Sequence, residues 1–413
     1  MTMKLRNRLI ALVCLVLFLA FGAALIFTTS ARKPFAVILF VTDNLDSPTL
    51  AAARIFGGGG DSRLHLEDFP NVALCRNPAN DYSVPDAASA STQIATGIRG
   101  NRGSLGIAPD GSRPPNLLEE ASAQGRSTGL ITSGDLTSPT AAAFYARCPD
   151  VDNRKDLLTQ LISRPPFDLT AGLWSGEATN ALPQGAFHGA ELLHSLPELE
   201  SRPFWKRDPV IALLPSSSLA ANRFGEGDPS GATLSDLVRT AIRTLQSNRR
   251  GYLLVVDDPM VATKASSNDG EAMLGEILTL DQAVATARRY AGNDALILVC
   301  GRRSVGGLRL NGYPFLRDKG ISVLSLNNDG YPSLSWSTGP GFSAEQEQVA
   351  PASKGKTNAP EPAGILAQPS ATKLPSAVGT AGDVLCVGEG AGSENLHGFT
   401  DLGAVHALLK KAL

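Results

Sequence analysis

The sequence predicts an α/β fold, with a mainly parallel central sheet and helices on both faces. Apolar runs of strand length alternate along the chain with amphipathic stretches of helical period. The runs are continuous rather than alternating in polarity, as in strands buried on both faces. The first of them closes on a carboxylate, Asp43, just before a helical segment. Open α/β sheets build their sites in that way, at the carboxyl ends of strands.

In chain order, the apolar run 35–42 is the first expected strand. Ser47 then offers a helix N-cap, Pro48 suits the first helical position, and TLAAARIF favours helix. Further strands are expected at 127–133, 210–215, 251–256, 294–300 and 383–387, and helices at 116–123, 233–245 and 272–290. Residues 341–376 are rich in Ala, Pro, Ser, Gln and Lys, with prolines at 351, 360, 362, 369 and 375. Such a composition buries too little apolar surface to order itself and predicts a flexible insertion.

Ahead of the domain, Lys4, Arg6 and Arg8 precede an uncharged apolar run over 9–27. That length suits a membrane-spanning helix, and the basic residues predict that 1–8 stay in the cytoplasm. On this reading the N-terminal helix anchors the chain in a membrane, and residues 34–413 face the periplasm or cell exterior. The alternative is a leader cleaved near the small residues Thr29, Ser30 and Ala31, which would leave a secreted protein.

With 37 basic and 39 acidic residues, the chain lacks the electrostatic footprint of a nucleic-acid binder. The cysteines at 14, 75, 148, 300 and 386 form no CxxC pair, which argues against a zinc finger or a thioredoxin-like motif. Apart from Cys14, they could form disulfides in an exported chain, but they fall mostly in core-like segments, where buried thiols are the commoner case.

The order of motifs resembles the alkaline phosphatases. TDNLDSPTLAAAR stands where that family has a strand ending in DGMG and a helix with AAR, and PDAASASTQIATG parallels its TDSAASATA stretch. LGIAPDGSRPPNLLEEASAQGRSTGLITS, LTSPTAAAFYAR, GYLLVVDDPMVATKASSND, VCGRRSVGGL and GTAGDVLCVGEGAG follow in family order. The resemblance implies an alkaline-phosphatase-like fold. It also implies a chemistry, metal-assisted attack by a serine on a phosphomonoester, which can be followed residue by residue.

Little of that chemistry carries over. The position of the nucleophilic serine is Ala87, which follows Asp86, and a methyl group cannot attack phosphorus. Ser89 and Ser91 are displaced along the helix. The position of the arginine that clamps phosphate is Val151, with Arg147 and Arg154 nearby but out of register. Positions implied for zinc hold Ala262, Ser266 and Gly379 in one site and Arg302 and Arg303 in the other, so zinc is not expected. None of the five histidines falls in a matched motif.

Three oxygen donors survive at the positions implied for magnesium: Asp43, Thr140 and Asp257. Set against one bound magnesium is a salt bridge from Asp43 to Arg302 or Arg303, in which a guanidinium fills the vacated metal volume. Asp43, Asp86, Arg302 and Arg303 thus form a vestigial site. The functional expectation is a pseudoenzyme with a binding or structural role, its partner a small anion or a protein. The alternative is a phosphomonoester hydrolase with a rearranged metal site.

Overall fold

The computed structural model describes residues 7, 10–21, 35–163, 167–174, 189–203, 205–215, 232–312, 324, 326, 331–341 and 368–413. Its strands are β1 (Ala36–Thr42), β2 (Asn71–Arg76), β3 (Ser127–Asp135), β4 (Leu169–Trp174), β5 (Glu191–Leu193), β6 (Val210–Pro215) and β7 (Tyr252–Asp258). They continue with β8 (Ala295–Gly301), β9 (Arg309–Leu310), β10 (Leu334–Gly339), β11 (Ser370–Lys373), β12 (Val384–Glu389) and β13 (Gly398–Asp401). Ten of them form one sheet in the order β13-β2-β12-β8-β1-β7-β3-β4-β6-β5, while β11, β10 and β9 form a small second sheet.

β1 lies between β7 and β8, parallel to both. All seven of its residues are buried. Successive side chains point to opposite faces of a strand. Accordingly Ile38 and Phe40 join one core with helices Ser47–Gly58, Leu234–Leu245 and Gly270–Ala291, while Val37, Leu39 and Val41 join another with helices Ala87–Thr96, Leu117–Ala123 and Leu402–Ala412. Both faces of the sheet are therefore covered, as the continuous apolar runs require. Only β12 breaks the parallel order in the middle of the sheet, running antiparallel to β8 and β2.

Glycine is required just before β7. Gly251 has φ +87°, and a Cβ there would meet the Phe35 carbonyl oxygen at 2.0 Å. That oxygen accepts a hydrogen bond from Tyr252 N at 3.0 Å, which opens the β1–β7 ladder.

Three expectations need correction. The helix cap after β1 is Asp46, not Ser47: its carboxylate accepts from Thr49 N at 3.0 Å, because a longer acceptor one residue earlier reaches the third amide of the helix. The expected insertion is shorter than 341–376, since Ser370–Lys373 pairs with β10 as β11; residues 342–367 lie outside the described residues.

The membrane anchor over 9–27 is also overturned. Among the described residues no helix is long and apolar enough to cross a membrane. Helix is described over 10–21, and 22–27 lie outside the described residues.

Candidate functional site

The site is built at the carboxyl ends of β1, β7, β8 and β3. β1 delivers Asp43, which has no exposed surface. The next residue, Asn44, adopts φ +55°, a left-handed conformation that asparagine tolerates. Its side chain donates to Val305 O at 2.8 Å and accepts from Val305 N at 3.1 Å, while its own amide donates to Arg303 O at 2.7 Å. This clamp fixes the end of β1 against the segment that leaves β8.

Arg302 is held from both sides. Its amide donates to Thr42 O at 2.8 Å, and its carbonyl accepts from Asn77 Nδ2 at 2.9 Å. From that anchored backbone the guanidinium grips Asp43 through two bonds, Nε to Oδ1 at 2.9 Å and Nη2 to Oδ2. The Arg302 side chain is 3% exposed and that of Asp43 0%, so this is a fully buried, bidentate ion pair. Arg303 Nε approaches the same Oδ1 at 3.5 Å, from a side chain that is 22% exposed. The expected bridge to Asp43 is thus present, with Arg302 as its main partner and Arg303 as a second.

The electrostatics follow. Burial alone would raise the Asp43 carboxyl, but the charges of Arg302 and then Arg303, with their hydrogen bonds, outweigh it and hold it below the usual carboxylate range. Burial works against the Arg302 cation, yet the adjacent Asp43 charge carries its pKa above the ordinary value. For Arg303 burial dominates and lowers it, the charge of Asp43 offsetting only part.

The remaining donors expected around magnesium are close by and already engaged. Ser91 Oγ sits 3.5 Å from Arg302 Nη1 and donates to Thr140 Oγ1 at 3.3 Å. Asp257 Oδ2 accepts from Thr132 Oγ1 at 2.7 Å and Ser138 Oγ at 3.1 Å, and its Oδ1 is buried without a hydrogen-bond partner. Burial raises the Asp257 carboxyl, and the Arg302 charge counters it in part.

A magnesium ion coordinated by Asp43 would have to displace a guanidinium that already holds both carboxylate oxygens. The arrangement therefore does not fit a dication at this point. No group of three or more His, Cys, Asp or Glu among the described residues is placed to hold a metal ion.

Ala87 is the first residue of the helix Ala87–Thr96, which Asp86 caps. The Asp86 carboxylate accepts from Ser89 N at 2.8 Å and Gly103 N at 2.6 Å, and Ser89 Oγ accepts from Asp86 N at 3.2 Å. Ser89 is thus engaged in a reciprocal cap and is 2% exposed. Of the positions implied for zinc, Ser266 makes turn contacts, its hydroxyl donating to Thr263 O at 2.7 Å. Ala262 packs against the core, and Gly379 forms an isolated bridge with Val305.

Val151 lines a cavity of about 490 Å³ with Arg154, Asp135, Trp174 and Met260, and Ser138, which bonds Asp257, lines it too. Arg154 meets Asp135 at 3.4 Å across it. Arg147 is structural, donating to Pro114 O at 2.8 Å and pairing with Glu119.

Several residues of the site were not foreseen. Thr132 and Ser138 hold Asp257, and Ser304 Oγ donates to Asp46 Oδ2 at 2.6 Å, tying the cap of the first helix to the arginine segment. Beside them, Asp258 accepts from Ser133 Oγ at 2.7 Å, and its carboxyl is pushed up to about 8 by burial and then by the charge of Glu276. The signal that could have found Asp258 is the paired aspartate at the end of an otherwise apolar strand.

A family model described as alkaline phosphatase matches residues 35–163 and 205–413. Among relatives, a membrane-bound alkaline phosphatase of Bombyx mori is 26% identical over 76% of this chain and 68% of its own. The tissue-nonspecific isozyme of Gallus gallus is 26% identical over 76% and 73%. Among solved structures, the alkaline phosphatase of Thermus thermophilus superposes with a TM-score of 0.69 at 19% identity, covering 92% of each chain. That of the Antarctic bacterium TAB5 gives 0.67 at 17%, covering 92% of this chain and 98% of its own.

Proposed function

Because the chain belongs to the alkaline phosphatase family, we propose that it is a member that has lost phosphomonoester hydrolysis and kept the scaffold for a binding role. The reading rests on one observation above all: a buried guanidinium, Arg302, bonds both oxygens of Asp43. A cation fixed to the chain neutralises the carboxylate there, and no exchangeable ion is needed. The absence of a hydroxyl at Ala87 and of a guanidinium at Val151 supports the same reading, since neither attack on phosphorus nor bidentate phosphate binding is provided for.

A small anion is the ligand class we assign to the surface around Arg303. Arg303 keeps part of its surface exposed and is only partly neutralised by Asp43 and the more distant Asp86. The amino end of the helix Ala87–Thr96 adds its dipole on the same side. For location, we carry forward the alternative reading of residues 9–27 as a leader removed on export.

The test is an assay of the purified protein with an aryl phosphate, zinc and magnesium, paired with metal analysis of the untreated protein. We expect no turnover above the uncatalysed rate and less than one equivalent of zinc. The variant Ala87→Ser is expected to remain inert, because the bridge still fills the metal position. Turnover that Asp43→Ala abolishes would overturn the reading and restore a hydrolase with a rearranged site.

A further inference from the structure

Three of the five cysteines lie together, and none is among the site residues named above. Cys75 lies on β2, Cys300 on β8 and Cys386 on β12, all without exposed surface and all in one core cluster on the same face of the sheet. β12 runs antiparallel between the other two strands and brings the three sulfurs together. All three are free thiols in this structure, and Cys386 is near enough to the other two for both to raise its pKa. The placement does not suit a metal centre among the described residues.

Register separates the two possible partners of Cys386. Cys300 is directly opposite it, whereas Cys75 is opposite Val384, two residues away. Opposed residues of an antiparallel pair have Cα atoms about 4.5–5.5 Å apart with side chains on one face. That spacing falls inside the range of about 4.4–6.8 Å that a disulfide spans. Diagonal neighbours stand about 7–8 Å apart, beyond its reach without backbone movement.

We propose that Cys300 and Cys386 are a disulfide-forming pair, joined when the chain folds under oxidising conditions, and that Cys75 remains a thiol beside them. In the step, two S–H bonds break and one S–S bond forms. The two electrons and two protons pass to an oxidant of the disulfide class, either a small-molecule disulfide such as oxidised glutathione or an oxidised protein dithiol. Exchange runs through a mixed disulfide, so it takes place before β12 closes over β8, while the sulfurs can still be reached.

The bond fastens β8, which ends in Gly301 just before Arg302, to a strand near the carboxyl end of the chain. It closes a long loop that contains residues 342–367, and the stabilisation expected from a cross-link grows with loop length. The proposal does not depend on whether hydrolysis has been lost.

The experiment is refolding of the full chain in reduced and oxidised glutathione, followed by peptide mapping without reduction. We expect one linked pair of peptides carrying Cys300 and Cys386, and two fewer free thiols in the denatured chain. The melting temperature of the oxidised form should rise by on the order of 5 °C over the reduced form. Cys386→Ser should remove the link, and Cys75→Ser should leave it in place. Five titratable thiols after oxidative refolding, or a link through Cys75 or Cys148, would overturn the proposal; mapping of the unsubstituted chain decides this even if a variant does not fold.

Discussion

Asp43 and Arg302 show how a fully buried carboxylate can be matched by a cation of the chain itself. An isolated carboxylate at full burial is costly, and its partner here is built into the next strand of the sheet rather than drawn from solvent. Removal of one side should therefore be worse than removal of both. Arg302→Leu alone is expected to cost about 3–5 kcal/mol, whereas the pair Asp43→Asn with Arg302→Leu should recover most of that loss, as read from urea unfolding of a double-mutant cycle. Asp258 presents the opposite case. Its carboxyl sits at about 8 in the fold against an ordinary value of 3.8, so between those limits the folded chain holds a proton that the unfolded chain has lost. Its contribution to stability therefore falls as pH rises from about 4 to about 8. Asp258→Asn should flatten that decline, and melting temperatures at pH 5 and pH 8.5 for the two proteins check it. Asp43, with its lowered value, acts at the other end: its share is present above the ordinary carboxylate pKa and disappears as pH falls through the folded value.

At the scale of elements, the continuous apolar runs that become β1, β3, β6, β7, β8 and β12 were legible because two-sided burial leaves no polar register to confuse them. β2, β4, β5 and β13 were not. β2 and β13 carry exposed side chains near one margin of the sheet, β4 interrupts its apolar character with Thr170 and Gly172, and β5 has only three residues. Each depends on a neighbouring strand rather than on its own pattern. Junctions between elements are specified by single residues. Gly251 must keep a positive φ while the Phe35 carbonyl occupies the space of a Cβ. Gly251→Ala should therefore cost at least about 2 kcal/mol, since strain and displacement of the β1–β7 hydrogen bond add. Denaturant midpoints of the two proteins measure it.

Across the whole molecule, the scaffold is that of the alkaline phosphatase family, while several motif positions hold other residues than the resemblance implies. The mainly parallel sheet with helices on both faces is the fold that the resemblance implied, and it was readable from motif order. The residues Ala87, Val151, Arg302 and Arg303 stood out too, because each departs from the resembled motif at a fixed place. The support from Thr132, Ser138 and Asn44 was not, since hydroxyls and amides occur everywhere and only the three-dimensional arrangement shows which carboxylate or carbonyl they hold. Function resides in such arrangements and not in the scaffold. The central place of β1 has one more consequence, for biosynthesis. Its neighbours are far away in the chain: Thr42 reaches Asp258 across 216 residues and Asp43 reaches Arg302 across 259. At about 5–20 residues per second, a ribosome needs roughly 10–50 s to supply those neighbours. For that interval an apolar ribbon of the nascent chain has bare edges on both sides, the kind of segment a chaperone would cover.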